Sequence, residues 1–331
     1  MSDSTGILKR LAEFLQEEFP RSYHPENVTR LQGDASTRRY FRYRQNDQSF
    51  ILAVYPDRFD SEDFTYRQVH DLLQEIALPV PRIITLDPER GIVLQEDLGD
   101  ESLQQRLLKA DATQRRRLFS SAIDHIVVIQ REGTKAMRSE TEASRLAFDQ
   151  EKFNWELLFF RRHYLEDHRR LNQVDENQLE TEFERLSAEL AGLPRCLCHR
   201  DYQVRNLMIK DNTLYITDFQ DARRGPFCYD LVSLLQDSIE LEKEEVEGFQ
   251  DYYLDQGVFP DKPQEFRRQF QLISIQRLLK ALGTYGYQIA VSGNDIYRQY
   301  VPGSLQRALV SLQSIPEFPY IQSIIENELE Q

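Results

Sequence analysis

Cysteine is scarce in this 331-residue chain: Cys196, Cys198 and Cys228 are an odd number for a disulfide framework. The scarcity fits a reducing compartment, where thiols stay unpaired. Cys196-Leu-Cys198-His199 has no second Cys/His pair at zinc spacing, so its thiols read as residues of a buried strand. Long apolar runs are missing too. None approaches the roughly 20 residues that cross a bilayer, and "MSDSTGILKR" lacks the basic-then-apolar layout of a signal peptide. The expected location is the cytoplasm. Positive charge is the third shortage: 41 Lys and Arg against 55 Asp and Glu leave a net charge of −14. Nucleic acid and anionic membrane attract basic surfaces, so neither is an expected partner; a small molecule is. An anionic ligand would then need a local cation, a metal or helix N-termini. Neither low-complexity linkers nor internal repeats interrupt the chain, and its 40% hydrophobic content suffices for a large core in two lobes.

The patterning that is present changes character once along the chain. "STGILKRLAEFLQEEF" sets Ile7, Leu8, Leu11, Phe14 and Leu15 on one helical face behind a Ser/Thr cap. "RRYFRYRQ" and "QSFILAVYP" read as a β-hairpin, followed by a helix over about residues 61–76 and two more strands, "RIITLD" and "GIVLQEDLGD". From Leu103 onward helical periods dominate, over about 103–132, 147–167 and 175–191, then from Tyr229 to the C-terminus. Between them "RCLCH" reads as a short strand and "NLMIKDNTLYITD" as a hairpin. The expectation is an α+β fold with a small β-rich N-lobe, residues 1–98, and a larger, mainly helical C-lobe, residues 99–331.

The densest chemistry lies in "CLCHRDYQVRNLMIKDNTLYITDFQDARRGP". His199-x-Asp201 is followed by Asn206 and, twelve residues further on, by Asp218. A loop after a strand can present Asp201 and Asn206 together, and the hairpin returns the chain so that Asp218 faces the same point. Oxygen donors then converge on one hard cation, as phosphoryl transfer requires: one carboxylate for the attacking hydroxyl, and carboxylate and amide oxygens for Mg²⁺ on nucleotide phosphates. Taken singly, each aspartate is an ordinary turn or cap residue. The joint spacing between strand patterns points to a kinase.

These segments resemble the aminoglycoside phosphotransferase and choline kinase-like family, which has the bilobal protein-kinase-like fold. The resemblance implies ATP and Mg²⁺ as cofactors, with Asp201 as catalytic base, Asn206 and Asp218 as metal ligands and His199 supporting the loop. Asp221 is a weaker candidate near the metals, and Asp230 in "YDLVSLLQD" an anchor of the catalytic loop. "GDASTRRYFR" stands where these kinases carry the loop over the nucleotide, with Gly33 for the tight turn and Ser36 for phosphate oxygens. "VLQEDLGD" stands at the inter-lobe hinge, where backbone groups of Gln95 and Asp97 would meet adenine and their side chains could be solvated.

One departure is plain: "SFILAVYPD" has no lysine near Ala53 and Val54, where a kinase normally offers one to the α- and β-phosphates. Arg38, Arg39 or Arg42 could supply that charge, with Arg39 a candidate cofactor-binding residue, or all three could be exposed strand residues. Stretches spread from about Gly33 to Leu312 further resemble the bacterial anomeric kinases of N-acetylmuramate and N-acetylglucosamine used in cell-wall recycling. That resemblance implies a sugar 1-phosphate product and a sugar in the C-lobe cleft, with Arg205, Trp155, Glu156, Asp221, Tyr285 and Tyr287 as candidate contacts. Two alternatives stand beside it. One is a kinase of another small alcohol, such as an aminoglycoside or choline; the other is a nucleotide-binding protein without catalysis.

Overall fold

The computed structural model describes residues 2–31, 38–60, 63–139, 141–171, 174–236, 239–260 and 262–330. Gly33 and Ser36, expected over the phosphates, lie outside the described residues. The N-terminal part is a five-stranded antiparallel sheet of β1 (Val28–Arg30), β2 (Arg39–Gln45), β3 (Gln48–Val54), β4 (Ile83–Asp87) and β5 (Ile92–Glu96), in the order β1-β2-β3-β5-β4. β2 and β3 pair in full register from Arg39 opposite Val54 to Gln45 opposite Gln48, so the expected hairpin forms around Asn46 at positive φ.

Period-2 alternation divides the faces of this sheet. Phe41, Tyr43, Leu52, Val54, Ile92 and Leu94 pack beneath the helix Ser2–Glu18 against Ile7, Leu11, Phe14 and Leu15. Leu8, expected on the same helical face, is instead 54% exposed and borders a surface recess with Tyr23 and Val28. Ala53 and Val93 face the other way, into the main core. The helix Thr65–Glu75 closes that side with Val69 and Leu73.

The remainder is mainly helical, with helices Ala112–Val128, Gln150–Phe160, Glu176–Ala191, Tyr229–Leu235, Lys243–Asp255, Pro263–Ala290, Val301–Gln313 and Pro319–Leu329. Among the described residues, no helix is long and apolar enough to cross a membrane. Two short sheets interrupt the helices. β6 (Arg195–Cys198) pairs with β9 (Arg223–Pro226), and β7 (Leu207–Lys210) pairs with β8 (Thr213–Ile216). Cys196 and Cys198 are buried on β6, as their apolar neighbours suggested.

The 28-residue helix Pro263–Ala290 organises this half. Its Gly283 and Gly286 let it approach the chain at Phe160–Tyr164 so closely that a β-carbon at Gly286 would stand 2.3 Å from the His163 carbonyl oxygen. The helix Gln150–Phe160, started by Asp149 accepting the Lys152 backbone N–H at 2.7 Å, is thereby held against it. Gln276 and Lys280 of one helix thus meet Glu156 of the other.

Candidate active site

β6 ends at Cys198, and the chain enters the loop that carries His199, Asp201 and Asn206. Arg200 adopts φ +82°, a conformation that costs a non-glycine residue roughly 1–2 kcal/mol. Hydrogen bonds hold it there. The Asp230 carboxylate, fully buried, accepts the backbone N–H of His199 at 2.7 Å and of Arg200 at 3.0 Å, and the buried Arg277 donates to the Arg200 carbonyl at 3.0 Å. The expected anchoring by Asp230 is therefore the observed geometry.

His199 Nε2 donates to the Thr217 carbonyl at 3.0 Å, and its ring stands edge-on to Tyr202. Asn206 Nδ2 donates to the Asp201 carbonyl at 2.8 Å, while its own carbonyl accepts both the N–H and the hydroxyl of Thr217 at 3.0 and 2.8 Å. These bonds tie the loop to the residue preceding Asp218, which itself sits at φ +61°. Since Nδ2 is spent on Asp201, the Asn206 Oδ1 remains as the oxygen donor beside Asp218. Among the described residues, no three His, Cys, Asp or Glu side chains converge on one point. An amide and a carboxylate oxygen do suit a hard cation that draws its other ligands from phosphate and water.

Asp201 is 28% exposed at its side chain, with Lys280 Nζ 3.8 Å from Oδ1 and Arg200 Nε 3.9 Å from Oδ2. Burial works against its charge, but Lys280, Arg200, Arg277 and His199 outweigh burial and hold the carboxyl well below the usual carboxylate range. Both oxygens are thus ionised, and their cations stand just beyond hydrogen-bonding distance.

On the sheet side, a cleft of about 480 Å³ is lined by Ile51, Ala53, Tyr66, Gln95, Leu98, Arg205, Met208 and Asp218, among others. Its apolar walls and hinge backbone suit a flat aromatic ring, and Asn206, Asp218 and Arg205 sit at one end. A larger cavity, about 760 Å³, lies between Leu235, Arg267 and Val310 and contains none of the loop residues. The Gln95 side chain accepts from the Tyr66 hydroxyl at 2.5 Å. Asp97, whose side chain could have been solvated, is instead 4% exposed and clamped by Arg42 at 2.6 and 3.0 Å. Arg42 also pairs with Asp100 at 2.8 Å, so its charge is committed to the hinge.

Of the three arginines considered for the missing lysine, Arg42 lines the cleft but is committed to the hinge, and Arg38 is the one that reaches Asp218. Its Nη2 lies 2.9 Å from Asp218 Oδ1, with the guanidinium between the rings of Tyr40 and Tyr55. Arg39 stands elsewhere: it shares the outer face of β2 with Phe41, lining a recess with Leu11 and Tyr23. Strand parity explains the difference, because Arg38, Tyr40 and Arg42 alternate toward the cleft while Arg39 and Phe41 alternate away from it.

Among the candidate acceptor contacts, Asp221 Oδ2 lies 3.2 Å from Arg200 and Oδ1 3.6 Å from Arg223. Glu156 is buried, accepts from Gln276 at 2.7 Å, and lies 3.7 Å from Lys152 and 4.0 Å from Lys280. Trp155 is 54% exposed with the Lys152 ammonium 4.0 Å from its ring centroid. Tyr287 packs edge-on against His163, and Tyr285 against Tyr297 and Tyr300. Lys152, Lys280, Arg200 and Gln276 were not singled out from the sequence. Arg200 is the chain neighbour of Asp201, whereas Lys152, Gln276 and Lys280 lie on helices, and only tertiary packing brings Lys280 to Asp201 and all three to Glu156.

Residues 27–266 match the family described as "Phosphotransferase enzyme family". The chain is 29% identical over 304 residues to an N-acetylmuramate/N-acetylglucosamine kinase of Neisseria meningitidis, covering 88% of this chain and 87% of that one. It is 27% identical over 312 residues to the kinase of the same name from Pseudomonas aeruginosa, covering 91% and 88%. Among solved structures, an ADP-bound aminoglycoside phosphotransferase, APH(2'')-Ib, superposes with a TM-score of 0.60 at 17% identity over 89% of this chain and 96% of that one. A choline kinase from Streptococcus pneumoniae does so with a TM-score of 0.59 at 19% identity over 92% and 99%. The α+β, protein-kinase-like fold expected from the sequence is the fold of this chain.

Proposed function

Because the chain belongs to the phosphotransferase enzyme family and acts on a hydroxyl acceptor, we propose that it transfers the γ-phosphoryl group of ATP to the anomeric hydroxyl of N-acetylmuramate or N-acetylglucosamine. The products are the sugar 1-phosphate and ADP. One observation carries the reading: hydrogen bonds tie the Asp201 loop through Asn206 to Thr217, and Asn206, Thr217 and Asp218 line the cleft beneath the sheet. The names of the two bacterial relatives supply the amino sugar.

In this mechanism adenine enters the apolar cleft under Ala53 and above Met208, against the hinge backbone at Gln95–Asp97. Asn206 and Asp218 would hold Mg²⁺, which when bound neutralises charge on the phosphates. Arg38 leaves Asp218 for the phosphates and takes the part of the absent strand lysine; Gly33, Ser36 and Arg205 are further phosphate contacts. With an N-lobe of residues 1–98 and a C-lobe of 99–331, the nucleotide would lie in the cleft between the lobes, its adenine beside the hinge. Asp201 orients the sugar hydroxyl toward the γ-phosphorus. As the new O–P bond forms and the bond to the ADP oxygen breaks, the hydroxyl proton passes to the Asp201 carboxylate. A carboxylate with so low a proton affinity accepts that proton late, which suits a loose transition state. His199 keeps the loop in place through Thr217.

A cationic acceptor such as an aminoglycoside or choline fits less well, because Lys280 and Arg200 stand beside Asp201, with Lys152 and Arg223 in the same cationic cluster. The test is Asp201→Asn assayed by ADP release with both amino sugars. Turnover should fall by several orders of magnitude while ATP affinity stays within a few-fold. Turnover like that of the unaltered protein would remove Asp201 from the mechanism.

A further inference from the structure

Phosphoryl transfer as described above makes no use of Lys152, yet the fold spends two devices on it. The Trp155 ring holds its ammonium at 4.0 Å, a cation–π contact that fixes the flexible stem. Its closest carboxylate oxygen, Glu156 Oε1, is 3.7 Å away, and Glu156 is pinned in the interior by Gln276. The Lys152 side chain is nonetheless 27% exposed, so it is open to a ligand.

Charge counting gives the second line of argument. Lys152, Arg200, Arg223 and Lys280 lie together against three carboxylates, Glu156, Asp201 and Asp221. Asp221 is shared between Arg200 and Arg223, and Asp201 between Arg200 and Lys280. Burial, then Arg200, Arg223 and Lys280, depress the proton affinity of Lys152 against the opposing pull of Glu156 alone. An excess of positive charge half out of water is costly through desolvation and mutual repulsion, and an anion supplied by the ligand relieves it. Lys280 marks the hydroxyl end, 3.8 Å from Asp201, and Lys152 the far end, linked through Glu156 by steps of 4.0 and 3.7 Å. That span suits the substituents of one hexose.

We propose that Lys152 recognises a carboxylate carried by the acceptor sugar, with Lys280 and Arg223 supporting the field around it. Of the two amino sugars admitted above, the acidic one, N-acetylmuramate, is then the preferred acceptor, an inference that rests on the amino-sugar reading. The carboxylate accepts a charge-assisted hydrogen bond from Lys152 Nζ while Asp201 holds the hydroxyl that reacts.

The experiment compares kcat/KM for N-acetylmuramate, its neutral methyl ester and N-acetylglucosamine in the unaltered protein and in Lys152→Met and Lys152→Arg. The unaltered protein should prefer the acid over both neutral sugars by about 10-fold or more, the range of a hydrogen bond to a charged group. Lys152→Met should lose that factor on the acid alone, leaving the neutral sugars within about 3-fold, and Lys152→Arg should regain part of it. Equal rates for acid and ester in the unaltered protein, which no folding defect can produce, would overturn the proposal. So would an equal loss on all three sugars in Lys152→Met, which would place Lys152 on the phosphate or in the scaffold. Absence of transfer to every amino sugar would sink the parent reading and this inference together; transfer without discrimination sinks this one alone.

Discussion

Replacing Asp230 by alanine removes the carboxylate that holds two N–H groups at the strained entrance to the catalytic loop. Asp230 is fully buried, and its two oxygens accept the N–H groups of His199 and Arg200 at 2.7 and 3.0 Å. Alanine leaves two main-chain donors facing a cavity, each costing about 1–3 kcal/mol, and removes a carboxylate close to the buried Arg277. Breaking such a buried charged network costs roughly 3–5 kcal/mol in all. In a protein of this size that corresponds to a fall in Tm on the order of 10 °C. Activity should fall further than stability accounts for. Arg200 at φ +82° has no other carboxylate holding its N–H among the described residues, and relaxation there displaces Asp201, where a 1 Å error costs on the order of 100-fold in rate. Thermal unfolding and steady-state kinetics on the folded fraction measure the two effects separately. Asp230→Asn, which keeps one accepting oxygen, should fall between. An alanine variant that melts within 2 °C of the unaltered protein with full turnover would refute the reasoning.

Arg38→Ala should raise the apparent KM for ATP by about 10-fold or more and leave the amino-sugar KM within a few-fold, read by initial rates; unchanged ATP dependence would return the phosphate role to another residue. Lys280→Met removes the nearest ammonium that depresses Asp201, so the proton affinity of that carboxyl rises and the acid limb of kcat moves upward in pH. The unaltered protein keeps Asp201 ionised throughout the assay range, and identical profiles for the two proteins would contradict the assignment. Gly286→Ala, whose β-carbon would meet the His163 carbonyl, should cost roughly 1–3 kcal/mol by chemical denaturation. Gly248→Ala has open space in the helix Lys243–Asp255 and should be neutral or stabilising by up to about 1 kcal/mol.

The parts of this protein legible in its sequence are those specified locally. The hairpin of β2 and β3, the β7–β8 hairpin around Asp211-Asn212 and the spacing of Asp201, Asn206 and Asp218 each depend on neighbours within about 20 residues, where turn chemistry and period-2 alternation act directly. Alternation also carried a signal not used: Arg38 shares parity with Tyr40 and Arg42, which would have separated it from Arg39. β9 was missed because "RRGP" is a turn-like string whose strand character comes from pairing with β6, some 28 residues earlier. Around Asp201, Glu156 was a candidate from the sequence, while Lys152, Gln276 and Lys280 were missed for a stronger version of the same reason. Lys152, Glu156, Gln276 and Lys280 come from two helices about 120 residues apart, and their meeting depends on Gly283 and Gly286 permitting close approach. Nothing in either helix taken alone announces it.

The central claim is a phosphoryl transfer to the anomeric oxygen of an amino sugar, and it is tested most directly by the product formed from N-acetylmuramate or N-acetylglucosamine with ATP. Proton–phosphorus coupling on the purified product, together with a reducing-end assay, locates the ester. The account predicts coupling of phosphorus to the anomeric proton and loss of the reducing end, with one ADP released per ester formed. Coupling to the C6 protons with the reducing end intact, or ADP release with an aminoglycoside and none with either amino sugar, would contradict it.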